Sequence, residues 1–427
     1  MKNVMRLMLV AMLGTIVFLA ACGGNESSQS SEGNSDNSNN NSSEDKKTEN
    51  GDKLRVAFGM GESEWKVFEN EIIPAFEQET GIKVEPIAIE SDNLVNKLTA
   101  EVDSGNFSVD MFAQDVNNLS ALVARDLVAD LSEYKSEIPE KVIPGMVDVA
   151  TFNEKLLFLP YRPNVEITFY NEKKFNKYDM NPPQNWDELL KVAKTFKQEE
   201  GQGRVAMKAN LGGDNVIHMF DFIRSAGGDP YVLNDEGSIK AFKYMQKLYP
   251  YLAEQSSKAT WDTMNQFLEK DSVYLGQNWP FYIPQFHKHG KDEIQAYSGW
   301  SGPAKESHTL GGEVIGIPKG SKKVDEAIKF AKFLMSKEVQ ELLVSELAWP
   351  SVRSDAYGLV QGYQKPYFKA IKNALEHAEP RGNVPYWGDA EKIYTEAFQK
   401  IVVEGQDVEE NLNKAAKQLQ KLQQKQQ

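Results

Sequence analysis

From Leu54 onward the apolar positions change rhythm at regular intervals. Leu54-Arg55-Val56-Ala57-Phe58 reads as a strand stopped by Gly59. Trp65, Phe68, Ile72, Ile73 and Phe76 then recur at three- and four-residue spacing, which predicts a helix over 65–79 ended by Gly81. Residues 83–89 read as a second strand. Leu94, Leu98 and Val102 mark a second helix, 109–113 a third strand, and 119–123 another helix. Strand and helix in alternation predict βαβ units on a parallel sheet, so the fold class is α/β. In such sheets ligands sit beyond the carboxyl ends of the strands. That places the loop over 59–65 and the loop starting at Gln114-Asp115 at a binding rim.

Later segments are helix-rich, with helical periodicity over 186–197, 217–226, 238–249, 324–335, 337–347 and 391–402. Ser336 is placed to cap the helix that follows it. Residues 313–317 read as a short strand, punctuated by Pro318-Lys319-Gly320. The Lys- and Gln-rich stretch 414–427 reads as a fraying terminal helix, and no internal repeat is found.

The first fifty residues follow different rules. Lys2 and Arg6 precede an uncharged run over 7–21, a signal-peptide pattern too short for a spanning helix. It ends Leu19-Ala20-Ala21-Cys22-Gly23, which resembles the bacterial lipobox. By that resemblance residues 1–21 are removed and Cys22 carries diacylglycerol, anchoring the chain through buried hydrocarbon. The competing reading is a plain secretory signal with an incidental cysteine. Residues 23–52 hold almost nothing apolar and are expected to form a disordered tether, with ends about 30 Å apart if it behaves as a flexible coil.

Charge and cysteine use narrow the function. The chain of 427 residues suggests two or three domains and carries a net charge of −14, which becomes −16 once Lys2 and Arg6 are removed. So acidic a surface argues against nucleic acid as a partner and against broad adhesion to anionic lipid. Cys22 is the one cysteine, which excludes an intrachain disulfide and any Cys-rich metal site. No phosphate-binding P-loop, dinucleotide fingerprint, zinc-protease motif or nucleophile elbow occurs. Ser132-Glu133-Tyr134-Lys135 fits S-x-x-K without its partner motifs and reads as surface loop, and His287 and His289 read as solvated. No catalytic residue, metal or cofactor is therefore expected.

Four further motifs stand in a telling order. They are Glu79-Thr80-Gly81-Ile82-Lys83-Val84; Leu159-Pro160-Tyr161-Arg162-Pro163-Asn164 running to Tyr170-Asn171; Pro183-Gln184-Asn185-Trp186-Asp187-Glu188-Leu189; and Gly311-Gly312 through Ser321, followed by 327–333 and 336–340. In that order over 53–415, the chain resembles the family-1 extracellular solute-binding proteins, the carbohydrate receptors of ABC importers. The resemblance implies a two-lobed periplasmic-binding-protein-like fold of type II, with hinge-connected lobes closing on a ligand between them. Lobe I would hold 53–164 and 312–360. Lobe II would hold 165–311 and 361–427. It also implies membrane permease subunits as partners, a carbohydrate as ligand, and a monomer.

Sugars present hydroxyl rows and C–H patches, which call for aromatic faces and planar polar side chains. Asp115, at the end of the third strand, could accept from two adjacent hydroxyls or cap the next helix. Glu62 and Trp65 lie on the first loop, where Glu62 could equally serve a helix dipole. Tyr161, Arg162 and Asn164 precede the first crossing strand. Where the family often has an aromatic and an Asp, this chain has Arg162 and Asn164, and Arg162 could clamp an anion. By resemblance Trp279, in Asn278-Trp279-Pro280, stacks on the ligand, and Gly312 with Glu313 brings backbone close to it. Arg381, in Pro380-Arg381-Gly382, matches a ligand-touching position or makes a surface salt bridge. Trp300 is a further stacking candidate or core filler, Trp387 could stack or cover the hinge, and Trp349 reads as structural. Two other functions remain in view. One is a surface-anchored glycoside hydrolase using two carboxylates. The other is a receptor for a charged solute such as a sugar phosphate or polyamine.

Overall fold

The computed structural model describes residues 53–425 apart from 90, 361, 382, 383 and 385. The signal segment, Cys22 and the tether lie outside the described residues. Among the described residues no helix is long and apolar enough to cross a membrane.

In chain order the strands are β1 (Leu54–Phe58), β2 (Val84–Ala88), β3 (Met111–Asp115), β4 (Thr151–Phe152), β5 (Lys155–Leu156), β6 (Leu159–Val165), β7 (Ile167–Asn171), β8 (Val205–Ala206), β9 (Leu275–Asn278), β10 (Ile294–Tyr297), β11 (His308–Gly316) and β12 (Ala378–Pro380). They form two principal sheets and the small hairpin β4–β5. The first sheet runs β2-β1-β3-β11-β12, with β6 along the other side of β11; the second runs β10-β7-β9-β8. β1 is parallel to β2 and β3, as the βαβ reading predicts, whereas β11 is antiparallel to β3 and β6.

The first sheet's βαβ opening follows the sequence closely. Helical structure runs from Glu62 to Thr80 with a π-turn at Phe68–Ile72, and Gly81 closes it with a left-handed φ of 73°. Phe68, Ile72 and Phe76 are buried under the sheet. The third strand starts two residues later than its pattern suggests, so Asp115 ends the strand instead of following it. Ser336 caps Lys337–Leu347, its hydroxyl accepting from the Val339 N–H.

Three expectations need correction. Residues 313–316 belong to a nine-residue strand, β11, whose first part pairs with β12 and whose last part pairs with β3, and Ile317 lies just beyond its end. The described part of 414–427 is packed rather than fraying. Most of it lies in the helix Val408–Gln424, which buries Leu412, Ala415 and Leu419 against the helix Trp387–Phe398, because its apolar residues keep helical spacing through a polar sequence. The segment 361–427, grouped with the second lobe by resemblance, also supplies β12 to the first sheet, where backbone pairing with β11 holds it.

The chain passes between the sheets three times: at β6 to β7, at β10 to β11, and from β12 to the helix Trp387–Phe398, whose Tyr394 and Phe398 lie in the second core. At the first pass a single residue, Glu166, separates the two strands. The helix Lys365–Glu376 packs over this junction, burying Tyr367, Phe368 and Ile371 with Val165, Ile167 and Phe169 in a third core. A groove of about 620 Å³ elsewhere on the first lobe, between Ile72, Lys329 and Val339, contains none of the candidate residues.

Candidate functional site

Register brings three charged candidates into one row. Glu313 on β11 pairs with Asp115 on β3 on one side and with Arg162 on β6 on the other. Arg162 is bracketed by carboxylates: its guanidinium lies 3.3 Å from Glu64 and 3.0 Å from Glu313. Its plane stacks 3.9 Å over the Trp349 ring, and the Trp349 Nε1–H donates to Glu64 at 2.9 Å. Trp349 is thus buried core, as the sequence suggests, and also the floor of this cluster. Burial opposes the charge on Arg162, but Glu313 and Glu64 outweigh it and raise its pKa. Burial, with Asp115 and Glu64 nearby, raises Glu313 despite the attraction of Arg162. An arginine already held by two carboxylates has little charge left to clamp an anion.

The first loop splits its acids differently from the expectation. Glu62 is 86% exposed and pairs with Lys66 on the surface. Glu64, two residues on, faces inward and also accepts from the Gly61 N–H at 2.7 Å. Sequence reasoning named Glu62 and passed over Glu64; the signal for Glu64 was its place in the helix's first turn, where a glutamate reaches back to the capping residue. Trp65 meets Phe58 edge-on at 6.4 Å. Tyr161 is buried between Phe58 and Trp349, and burial raises its pKa well above the usual value. Asp115 accepts from the Asn117 N–H at 2.8 Å, a turn closure; the N-cap position of the next helix is Asn118. Asn164 folds onto its own chain, accepting from Val165.

The two glycines of β11 make room for different neighbours. A Cβ on Gly312 would lie 2.0 Å from the Arg162 carbonyl, and φ there is +117°, so this glycine makes room for the approach of β6. A Cβ on Gly311 would lie 2.7 Å from Trp279 Cη2. Trp279 follows β9 of the second sheet, so its half-buried ring reaches across to the first sheet's longest strand. Asn278 beside it is fully buried, donating to the Trp261 carbonyl at 2.8 Å.

A group that no motif announced lies at the same junction. Glu166, Lys208 and His218 are all buried and form a closed ring of contacts. Lys208 Nζ pairs with one oxygen of Glu166, His218 Nε2–H donates to the other at 2.9 Å, and the Lys208 backbone N–H donates to His218 Nδ1 at 3.2 Å. That pattern assigns the proton to Nε2 of the imidazole. Burial alone would raise Glu166, but Lys208 and His218 outweigh it and hold the carboxyl at about 2. Nearby, the Thr309 hydroxyl on β11 donates to Asp221 at 2.7 Å, and burial pushes Asp221 up to about 6.

Arg381 is buried rather than on a surface, with its guanidinium 5.6 Å from the Trp387 ring centre and its carbonyl accepting from the Tyr231 hydroxyl. Burial lowers its pKa, against the pull of Asp115 and Glu391. Trp387 packs edge-on against Phe220, and Trp300 lies against Phe222; both sit at the edge of the second core. Trp65 Nε1, the Tyr161 hydroxyl, and Nε of Arg162 and Arg381 are buried donors with no acceptor among the described residues. Among those residues no group of His, Cys, Asp and Glu could hold a metal ion.

Comparison with known proteins agrees with this architecture. The family model of bacterial extracellular solute-binding proteins matches residues 71–370. A probable amino-acid ABC transporter periplasmic-binding protein of Sinorhizobium fredii is 23% identical over 69% of this chain and 71% of its own length. The diacetylchitobiose-binding protein DasA of Streptomyces coelicolor is 24% identical over 77% of each. Maltose-bound MalE3 of T. maritima superposes with a TM-score of 0.74 at 20% identity, covering 87% of this chain and 99% of that one. With two sheets joined by three passes and the family model spanning most of the folded body, the chain belongs to the bacterial extracellular solute-binding proteins and has the type II periplasmic-binding fold.

Proposed function

We propose that this protein captures a neutral saccharide at the junction of its two sheets and hands it, chemically unchanged, to the permease of an ABC importer. The observation that carries this reading is Trp279, a half-buried indole reaching from the second sheet to Gly311 on the first. Such a ring offers a stacking face for sugar C–H groups where closing lobes would meet. Buried donors without a partner among the described residues, those of Tyr161, Arg162 and Arg381, are suited to hydroxyl oxygens. The cations there are largely matched by acids, Arg162 by Glu64 and Glu313 and Lys208 by Glu166, which disfavours a phosphate or polyamine ligand. The names of similar proteins, for diacetylchitobiose and for a maltose complex, point to the same class. Cys22 would carry the lipid anchor, 23–52 would form the tether, and the body built on the first sheet, with β11 and β12, would move against the body built on the second sheet within a monomer.

The test is a ligand panel read by thermal shift, with the ligand recovered and analysed afterwards. Maltose, diacetylchitobiose, longer oligosaccharides, a sugar phosphate, a polyamine and free amino acids form the arms. A rise in Tm with a saccharide returned intact supports the reading. A rise only with amino acids or charged solutes rejects the saccharide, and cleavage of the glycosidic bond rejects the receptor in favour of a hydrolase.

A further inference from the structure

The ammonium of Lys208, a residue with no exposed surface, has two partners. It pairs with Glu166, the one residue between β6 and β7, and it lies 5.5 Å from the centre of the Trp279 ring. We propose that Lys208 is a positioning residue for ligand capture: it fixes the indole of Trp279 as the stacking face and ties that face to the link between the sheets. The inference rests on the saccharide reading of the same site.

The geometry holds Lys208 at both ends. Its backbone N–H is bound by His218 Nδ1, and its ammonium by a carboxylate whose second oxygen is taken by His218 Nε2–H. A four-carbon side chain so tethered has little freedom to leave the ring. A cation within about 6 Å of an indole centre is attracted to its face, most strongly where water is excluded. From another side the ring's benzo edge meets the Gly311 backbone, 2.7 Å from where a Cβ would stand. Trp279 is thereby located by an ammonium of its own lobe and a strand of the other. Any movement of Glu166 during lobe closure is transmitted through Lys208 to the platform.

A purely structural ion pair would neutralise charge and nothing more, and the two roles separate experimentally. The double variant Glu166→Gln with Lys208→Met leaves no buried charge unpaired, so its Tm should stay near that of the parent. Its affinity for the saturating saccharide of a maltose, diacetylchitobiose and oligosaccharide set should nonetheless fall about tenfold. In a Trp279→Ala background the same double change should alter affinity by less than about twofold, because its effect acts through the ring. Unchanged binding by the double variant, or a full loss persisting without Trp279, overturns the proposal. Should the double variant not fold, Lys208→Arg serves: it keeps the cation and should bind within about threefold, and a tenfold loss would count against the proposal. A Trp279→Ala protein that binds like the parent, or a parent that no saccharide saturates, removes the saccharide reading and this inference with it. A silent double variant beside a weakened Trp279→Ala removes this inference alone.

Discussion

The guanidinium of Arg162 lies 3.9 Å above the ring of Trp349, and Glu64 binds both of them. One carboxylate thus joins the first helix, β6 and the segment after Lys337–Leu347 into a single unit on the wall of the first lobe. Replacing Arg162 with Met leaves Glu64 and Glu313 facing each other across a partly buried space. The urea midpoint should fall by an amount equal to about 2–3 kcal/mol, less than for a fully buried pair because Arg162 keeps 18% exposure.

Glu62 and Glu64 should behave oppositely. Glu62→Ala removes only a surface pair with Lys66 and should leave Tm and ligand affinity unchanged. Glu64→Ala takes the acceptor from Trp349 and one counter-charge from Arg162, and should lower Tm measurably in the same scan. Equal effects would refute this division of labour.

The two glycines of β11 should also separate stability from binding. Gly312→Ala forces a Cβ onto the Arg162 carbonyl at a left-handed φ and should cost about 3 kcal/mol or more, read by chemical denaturation. Gly311→Ala instead meets the rim of an indole ring that can tilt away. It should cost about 1 kcal/mol in stability, yet weaken saccharide binding by more than about tenfold, measured by calorimetric titration.

Stability should depend on pH through Asp221 and Glu166, with opposite signs. Asp221 has its pKa raised to about 6 by burial, so between its ordinary value near 4 and 6 the folded state binds more protons than the unfolded one. Its contribution is most favourable below about pH 4 and declines as pH rises through 6. Glu166, held at about 2, contributes stability above about 4.5 that is lost as pH falls toward 2. Asp221→Asn should therefore gain stability relative to the parent between pH 4 and 7, and denaturation midpoints across that range would show it. A parallel offset at every pH would contradict the assignment.

The opening βαβ run was legible because its apolar spacing is unambiguous and Gly59 and Gly81 punctuate it. Ser336 was legible through its cap. β6 was not seen as a separate strand, since Pro160 and Pro163 argue against sheet; an edge position, pairing only with β11, accommodates both. The Glu166–Lys208–His218 ring was invisible because its members stand 42 and 52 residues from Glu166 and meet only through tertiary packing. The choice between Glu62 and Glu64 turned on half a helical turn, finer than periodicity resolves.

The solitary spacer between β6 and β7 also places an evolutionary restriction on chain length. Strand side chains alternate with a period of two, so inserting one amino acid there would turn Ile167 and Phe169 to the opposite face of β7 and present Thr168 and Tyr170 to the third core. Inserting two would restore parity while slackening the pivot. Homologous sequences should therefore tolerate gaps here in even steps or not at all.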